Sequence, residues 1–555
     1  MYKWSFILIG FLMVGCSLYR PPKSPARPGS FPKFKEKDSL LGNLNEYRKN
    51  YDVTFYDLNL HINPDKKAIS GSVKTYFRAV FPIRKMQIDL SDKFEIDSIK
   101  DEFGNKLKFE RNHTAVLVKM KETVLISSHS MIEVFYHGKP DKARRPPWEG
   151  GLVWKKKNGK HFCGVSCEDN GSSIWWPGKD HISDKPDSIR AKYTVPKGYT
   201  CVGNGKLVEH QRTFDGFEKF TWKTSYPINH YNISFYLGMY EHFQLEYDNP
   251  SSKLDKLDFY VRSENVAKAK LHFRQAVKIL KVYEEVFGPY PWWKDGYKLV
   301  ESPYEGMEHQ TAIAYGSKYK NEKYLNYDYI ILHETAHEWW GNYVTACDMS
   351  DLWIHEGFAT YAEMLYEEKT EGQKSYELSY LINRSMSLNK RPIVGPKNVF
   401  YTNYKDNDIY NKGAVVLYML RKTIGDNDFF KIIKKFATEY YKSCVFTEDF
   451  MALVNKETGK NLDWFFEQYI YRREAPELIY AYGANADNEM EFRYKWNPAN
   501  TNANFKLGVS VQIGSKKLTL FPTHEVQKVS VKTSLAAQAL IDQDDYIIIT
   551  NDKKL

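Results

Sequence analysis

The stretch HETAHEWWGN, residues 333–342, contains two histidines four positions apart and a glutamate directly after the first. Residues four apart lie on one face of a helix, so His333 and His337 can direct two imidazoles at one ion. Glu334 lies one step further round, where its carboxylate can accept a proton from water without binding the metal itself. Because a bare H-E-x-x-H pattern also arises by chance, these residues alone support a metal site only as a hypothesis.

A catalytic zinc site needs a third protein ligand and an open fourth position. Glu356 follows His337 by nineteen residues, in the apolar segment SDLWIHEGFATYAEML. The intervening chain is long enough to return a second helix against the first. A carboxylate among so many apolar side chains is costly unless it is paired. We therefore predict that Glu356 completes a site for one Zn²⁺ per chain; the alternative is an ordinary exposed glutamate on a helix.

Together, HETAHEWWGNYVT and HEGFATYAE resemble the zinc aminopeptidases of the alanyl aminopeptidase and leukotriene hydrolase family. The resemblance extends over about residues 51–473. It implies that zinc is held by the two histidines and Glu356, with Glu334 as the general base. It also implies that Glu363 supports a ligand histidine, for which a salt bridge on the helix surface is the alternative.

An aminopeptidase must also bind a free α-amine, and PYEGMEHQTAIAYG resembles the G-x-M-E-N motif on an edge strand of this family. The resemblance implies that Glu308 binds the amino terminus of the substrate. It implies further that Gly306 and Met307 lie along the substrate backbone and the pocket for its first side chain. Glu305 and His309 depart from the family's Gly and Asn: the first suggests tolerance for basic first residues, and the second can titrate near neutral pH. For Glu308, a solvated glutamate on an edge strand is the alternative.

A second carboxylate that holds the amine is expected in VSCEDNGSSIWWPGKD. Counting back from Trp176 and Pro177, which match an aromatic-Pro step of the family, puts Glu168 at that position. The family's upstream Gln and following Pro are replaced by Ser166 and Asp169. An ordinary loop carboxylate is therefore the alternative for Glu168.

The segment YNKGAVVLYML, which begins at Tyr410, resembles the Y-x-K-G motif of the same family. The resemblance implies that the Tyr410 hydroxyl donates a hydrogen bond to the oxyanion of the reaction. A phenol suits this role because its ordinary pKa of about 10 keeps it protonated at neutral pH. Lys412 and Gly413 stand at the offsets that the motif requires.

These residues predict a zinc-dependent aminopeptidase that acts on peptides with a free N-terminus. Glu334 would accept a proton from the attacking water and pass it to the leaving amine. Glu308 and Glu168 would hold the substrate ammonium, so that only the first peptide bond reaches the metal. Two alternatives stay open: an epoxide hydrolase of the leukotriene hydrolase type, and a non-catalytic surface lipoprotein that binds peptides or partners.

The apolar patterns predict a multidomain α+β protein. Strand-like alternation in VTFYDLNLHI and KAISGSVKTYFRAV predicts an N-terminal antiparallel β domain over residues 46–245. Helical periodicity begins near Val266 and predicts a mainly helical catalytic domain over residues 246–475. Alternation then returns and predicts a small C-terminal β-sandwich over residues 476–555. The family resemblance implies that the first domain is saddle-like and the second thermolysin-like.

The N-terminal stretch MYKWSFILIGFLMVGC, residues 1–16, contains an apolar run with the length of a signal-peptide core. Gly15 before Cys16 resembles the lipobox of bacterial lipoproteins, although Met13 replaces the usual leucine; an ordinary secretory signal is the alternative. Residues 17–45 are basic and rich in proline, which predicts an extended tether. We therefore expect an exported protein that is lipid-anchored at Cys16 to the bacterial cell envelope, on the periplasmic or surface face of the outer membrane.

The composition excludes two other classes of protein. An aromatic content of 15% argues against a disordered chain. The net charge of +10 is spread along the sequence without a nucleic-acid-binding motif, so nucleic acid is not an expected partner. Besides Cys16, the five other cysteines are too few for a disulfide framework, although one bridge could form among Cys163, Cys167 and Cys201.

Overall fold

The computed structural model describes residues 31–167, 170–213, 215–249, 255–322, 325–401, 407–533, 538–542 and 544–555. The predicted signal sequence with Cys16 and the predicted amine-binding Glu168 lie outside the described residues. Within these ranges, none of the helices combines the length and the apolar character needed to cross a membrane.

The N-terminal part of the chain is built mainly of β-strands, because its side chains alternate between apolar and polar with a period of two. In β1, for example, Leu58, Leu60 and Ile62 are all buried. The helices and strands of this part are α1 (Glu36–Gly42), α2 (Glu46–Lys49), β1 (Tyr51–Asn63), β2 (Ala68–Ala79), β3 (Ile83–Asp89), β4 (Phe94–Asp101), β5 (Lys108–Asn112), β6 (Ala115–Val124), β7 (His129–Gly138), β8 (Gly151–Lys157), β9 (Lys160–Ser166), β10 (Ser188–Pro196), β11 (Thr200–Gly203), β12 (Lys206–Arg212), β13 (Phe217–Lys223) and β14 (Phe235–Gly238).

These strands form three sheets, in the orders β12-β13-β10-β1-β2-β7-β4, β3-β6-β5 and β11-β14-β9-β8. Neighbouring strands are antiparallel, as predicted, except that β1 and β10 run in parallel with Phe55 opposite Ser188. This exception arises because the chain completes β2 to β9 before β10 returns to the free edge of β1.

Residues 31–45 differ from the predicted extended tether, since they contain α1. The segment EKDSLLG favours a helix because most of its residues have good helix propensity, and one of its two leucines, Leu41, is buried. The Asp38 carbonyl accepts a hydrogen bond from Phe400 N at 2.8 Å. A Cβ on Gly42 would lie 2.1 Å from the same Phe400 nitrogen, so this helix packs tightly on the catalytic part of the chain.

The middle of the chain combines one small sheet with a set of helices. Its sheet has the order β15-β16-β17-β19-β18, so that β18 lies at an edge. The helices pack through apolar faces; in α4, for instance, Ile279, Leu280 and Tyr283 are buried. The elements are β15 (Tyr240–Tyr247), β16 (Asp255–Arg262), α3 (Val266–His272), α4 (Arg274–Phe287), β17 (Tyr297–Glu301), β18 (Gly306–Met307), β19 (Ile313–Tyr315), α5 (Tyr329–Ala336), β20 (Thr345–Ala346), α6 (Trp353–Glu371), α7 (Gln373–Met386), α8 (Asn411–Ile424), α9 (Asp426–Glu439), β21 (Cys444–Val445), α10 (Thr447–Thr458) and α11 (Asp463–Tyr469).

A disulfide joins Cys347 to Cys444, next to the short parallel pair β20 and β21. The bridge that could have formed among Cys163, Cys167 and Cys201 is not present among the described residues, where all three are buried thiols outside any disulfide. These three side chains pack as small apolar groups in the β core. The observed bridge closes a separation of 97 residues, which no local spacing in the sequence could reveal.

The C-terminal part forms two sheets, as the renewed alternation predicts, in the orders β26-β23-β22-β28 and β25-β24-β27. The last strand pairs in parallel with the first, with Glu477 opposite Ile548. The strands are β22 (Glu477–Ala484), β23 (Met490–Trp496), β24 (Val509–Ile513), β25 (Lys516–Leu520), β26 (Gln527–Val531), β27 (Ala539–Ile541) and β28 (Ile548–Asn551).

Candidate active site

Helix α5, which carries His333 and has His337 as its C-cap residue, is fixed at its start by Asp328. One carboxylate oxygen of this buried N-cap residue accepts a hydrogen bond from Ile330 N at 3.0 Å. The other accepts from the Tyr315 hydroxyl at 2.7 Å and lies 2.8 Å from His272 Nε2. An N-cap carboxylate stabilises the positive end of a helix. Asp328 thereby ties the helix to strand β19 of the neighbouring sheet.

Helix α6 returns against α5 and carries Glu356 and Glu363. It crosses α8 where two glycines face each other: a Cβ on Gly357 would lie 2.9 Å from the Gly413 Cα. This close approach brings the start of α8, and with it Tyr410, toward the ligand residues. Gly413, the glycine of the Y-x-K-G motif, is therefore required by helix packing, because a side chain at this position would collide with α6.

Three donor atoms converge between α5 and α6. His333 Nε2 and His337 Nε2 lie 3.1 Å apart, and each lies 3.4 Å from Glu356 Oε2. Ligands at zinc distances of about 2.0–2.2 Å in a tetrahedral arrangement are themselves separated by about 3.3–3.6 Å. All three residues are buried and together form a group that could hold a metal ion.

The hydrogen bonds of the two Nδ1 atoms show which ring nitrogens are available to a metal ion. His333 Nδ1 lies 2.7 Å from Glu363 Oε1, and His337 Nδ1 lies 2.8 Å from the carbonyl oxygen of Trp340. Both partners are acceptors, so each Nδ1 carries a proton and each Nε2 is the nitrogen that can present a lone pair to a metal ion. Two such lone pairs 3.1 Å apart would repel each other without a cation between them, and Glu356 Oε2 has no hydrogen-bond donor among the described residues. This donor set fits a divalent cation, and two imidazoles with one carboxylate are typical of catalytic zinc.

The electrostatics of this cluster also favour a cation. Burial raises the pKa of Glu334 to about 8, although the two histidines oppose that shift. Burial acts against the charged form of His333, but the carboxylates of Glu356 and Glu363 raise its pKa well above the ordinary value, so they favour a positive charge here that a bound cation would supply in place of a second ring proton. A buried group of carboxylates and imidazoles with such strong mutual interactions is typical of a functional site.

The edge strand β18 runs directly beside Glu334. A Cβ on Gly306 would lie only 2.5 Å from Glu334 Oε1. In the described part of the chain, β18 pairs only with β19, where Met307 faces Ala314, so its other edge is free for an extended peptide. At the end of this strand Glu308 is 4% exposed, and its Oε1 has no hydrogen-bond partner among the described residues. Asn342 Nδ2 donates to the Glu308 carbonyl at 2.9 Å and fixes the backbone there.

One cleft brings together most of the predicted site residues. The half-buried Tyr410 ring lies 6.1 Å from the ring of His333, centroid to centroid. Glu363 contacts the side of the His333 ring that faces away from the cleft and does not line the cleft, which is the position that its predicted role of supporting a ligand histidine requires. Glu168 lies outside the described residues. The predicted residues that line the cleft are Gly306, Met307, Glu308, His333, Glu334, His337, Glu356 and Tyr410.

The cleft also contains residues that no sequence motif indicates. Pro147 and Trp148, from the loop between β7 and β8, form part of its wall, and no motif indicated them. Tyr329 stacks on His333 with ring centroids 5.3 Å apart. Helical spacing could have indicated Tyr329, because it precedes His333 by four residues and so lies on the same face of α5.

The expectation that His309 titrates near neutral pH is wrong. This histidine is fully buried, and burial lowers its pKa to about 3. Its Nδ1 lies 2.6 Å from the Tyr236 hydroxyl, which itself donates to the Ala312 carbonyl at 2.8 Å. His309 therefore donates to Tyr236 as a neutral ring and secures the strand that follows Glu308.

Comparison with known proteins gives a family for the part of the chain that holds this site. Residues 271–469 match the peptidase family M1 domain. This segment is an M1 peptidase domain. The resemblance to the zinc aminopeptidases of the alanyl aminopeptidase family is thereby confirmed.

Curated relatives of this chain are remote in sequence and longer. The probable aminopeptidase 2 of Sulfurisphaera tokodaii is 24% identical over 336 residues, which are 56% of this chain and 42% of that protein. Aminopeptidase N of Haemophilus influenzae is 21% identical over 462 residues, which are 78% of this chain and 51% of that protein. The chain therefore spans about half the length of these relatives.

Solved structures of the M1 family share its fold. An M1 zinc metallopeptidase from Deinococcus radiodurans, solved with a bound Tyr-Ser-Ala substrate, superimposes with a TM-score of 0.67 at 22% identity. The superposition covers 77% of this chain and 95% of the other. It confirms the predicted multidomain α+β architecture.

Proposed function

We propose that this protein is a zinc-dependent aminopeptidase that removes N-terminal amino acids from peptides. One observation carries the proposal. Two imidazole lone pairs and a carboxylate oxygen converge within 3.4 Å beside an edge strand that ends in a buried carboxylate without a hydrogen-bond partner at Oε1 among the described residues. The M1 domain and the relatives named as aminopeptidases support it.

His333, His337 and Glu356 would hold one zinc ion, and Glu363 would orient His333 for that purpose. When bound, zinc supplies Lewis acidity that polarises a carbonyl group and makes a water molecule more acidic. The histidine ring planes are already fixed by their outer hydrogen bonds, so little reorganisation accompanies binding.

Glu334 would act as general base and then as general acid. Its carboxylate lies in the cleft against the Gly306 backbone, where an extended substrate on the free edge of β18 presents its peptide bond. It would accept a proton from the attacking water and donate that proton to the leaving amine. The Tyr410 hydroxyl would donate a hydrogen bond to the oxygen that becomes negative during attack.

Glu308 would determine that the enzyme is an exopeptidase. An ammonium group is the natural partner of a buried carboxylate that lacks other donors, because an isolated buried charge is costly. Binding the amine there leaves only the first peptide bond of the substrate beside Glu334. The role of Glu168 as a second amine ligand stays a prediction.

The decisive experiment compares Glu308→Gln with the wild type on a panel of amino-acid anilides, with and without a chelator. We expect the variant to retain one zinc per chain and to lose about two orders of magnitude in kcat/KM, since truncating one partner of a buried charged pair costs about 2–5 kcal/mol. Glu322→Gln, an exposed glutamate away from the cleft, is the matched control. A protein without stoichiometric metal, or one that releases internal fragments, would refute the proposal.

We further propose that the protein is exported and anchored through a lipid on Cys16. The apolar run and the lipobox-like Gly15-Cys16 step support this, as does the disulfide between Cys347 and Cys444, a bond that persists in oxidising compartments. Mass spectrometry of the mature N-terminal peptide tests it directly. Recovery of Cys16→Ser and wild type in the same soluble fraction would contradict it.

A further inference from the structure

The edge strand β18 presents three functional groups in a fixed order. Gly306 lies against Glu334, and this contact marks the position of the reacting peptide bond. Glu308, two residues further along, lies on the side of the substrate amine. Glu305 lies on the other side of Gly306, and residues in a strand advance about 3.3 Å each. A substrate held by its amine at Glu308 therefore extends past the reacting bond toward Glu305.

The Glu305 side chain lines the cleft and is exposed to solvent. Within the described ranges, its carboxylate has no ion pair or hydrogen bond, while its carbonyl oxygen is fixed by a hydrogen bond from Gly316 N at 2.6 Å. The Glu305 backbone is thus held in place, while its carboxylate is available to bind a cationic ligand. This differs from Glu308, which is buried at the same wall.

Trp148 and Pro147 belong to the same cleft wall and come from the N-terminal β domain. The Trp148 indole is 54% exposed, so its face is accessible to a ligand. An indole face attracts cations through its quadrupole, and a nearby carboxylate adds direct charge attraction. Carboxylate and indole together suit the long side chains of lysine and arginine, whose aliphatic stems also pack on aromatic rings.

We infer that Glu305 and Trp148 form a subsite for a cationic side chain on the substrate residue immediately after the cleaved bond. The inference rests on the proposed aminopeptidase function, because it takes the substrate direction from Glu308 and Glu334. It replaces the expectation that Glu305 favours basic first residues. The first side chain would instead lie beside Met307, whose own apolar side chain is buried in the cleft wall.

The test measures kcat/KM on three tripeptides that begin with leucine and carry arginine, alanine or glutamate in second place, together with leucine anilide. The wild type is expected to prefer arginine over alanine by about three- to tenfold, in the range of partly exposed ion pairs and cation–π contacts. Glutamate is expected to be the poorest. Added salt should reduce the preference, since exposed charges are screened.

Glu305→Gln should remove the preference for arginine while the anilide is still cleaved, because the anilide carries no cationic side chain for Glu305 to attract. Trp148→Ala should weaken it, and Glu322→Gln should preserve it. Equal rates on the three tripeptides with an active anilide would overturn the subsite, as would a preference for arginine that survives in Glu305→Gln. An inactive anilide would instead refute the proposed function.

Discussion

Removing the carboxylate behind His333 tests whether the converging histidines form a metal site. Glu363 Oε1 lies 2.7 Å from His333 Nδ1 and belongs to a largely buried side chain. Glu363→Gln keeps an acceptor oxygen but removes the charge, and Glu363→Ala removes both. Each change leaves the three proposed ligands in place, so any loss of zinc reports on the orientation and basicity of one imidazole.

The size of the effect follows from the hydrogen bond. Loss of an outer partner of a metal ligand typically lowers metal affinity by about 10–100-fold. A hydrogen bond to a charged acceptor is about twice as strong as one to a neutral acceptor. We therefore expect about tenfold weaker zinc binding in Glu363→Gln and up to about 100-fold in Glu363→Ala, or about 1.4 and 2.7 kcal/mol.

Zinc affinity is measured by competition with a calibrated chelator, independently of activity. Glu367→Gln is the matched control, because it makes the same change one turn along α6. Its carboxylate accepts hydrogen bonds from the hydroxyls of Tyr327 and Ser375 instead of touching a ligand histidine. Equal zinc affinity in wild type and Glu363→Ala would refute the reasoning, as would an equal loss in the Glu367 variant.

Three further predictions concern chemistry and stability. Tyr410→Phe should lower kcat by about 100-fold while zinc content and KM change little, because the hydroxyl acts only on the developing charge; an unchanged kcat on an anilide contradicts this. Replacing Cys347 and Cys444 together by serine removes a cross-link over 97 residues and should lower the free energy of unfolding in urea by about 2–5 kcal/mol, whereas an unchanged midpoint would count against it. Burial lowers the pKa of Lys412 in the folded protein from 10.5 to about 8. Between these two pH values the unfolded chain binds more protons than the folded protein, so the free energy of unfolding should rise as the pH increases from 8 to 10.5. Lys412→Met should flatten that rise in thermal unfolding, and a profile identical to wild type would be inconsistent with it.

Much of the site was predictable because its spacing follows the helical period. His333 and His337, the C-cap residue of α5, are four residues apart in helical conformation, and this spacing alone puts both rings on one face. Glu356 and Glu363 are seven residues apart on α6, which is two turns, so both carboxylates reach the same histidine. The resemblance to a family added the roles of these groups, but their common direction is a property of the helix itself.

Contacts between distant parts of the chain were not predictable in this way. Trp148 reaches the cleft from a loop of another domain, and the Cys347–Cys444 bridge depends on how β20 and β21 pair. His309 illustrates the same limit for electrostatics, since its neutral state follows from burial beside Tyr236 and not from its sequence neighbours. Such features depend on the packed fold, whereas the ligand spacing depends on one helix.

The segment between the two ligand-bearing helices connects metal binding to the rest of the fold. It pairs through Thr345 with Cys444 and is closed by the disulfide from Cys347. Ala346 N also donates to His355 Nε2 at 2.8 Å, and His355 precedes the ligand Glu356. The position of Glu356 is therefore held by contacts that lie outside the metal site and involve no metal. Because orientation of the ligands is established by the fold, loss of these remote contacts should weaken zinc binding even when all three ligands are intact, and bound zinc should in turn stabilise the fold by mass action.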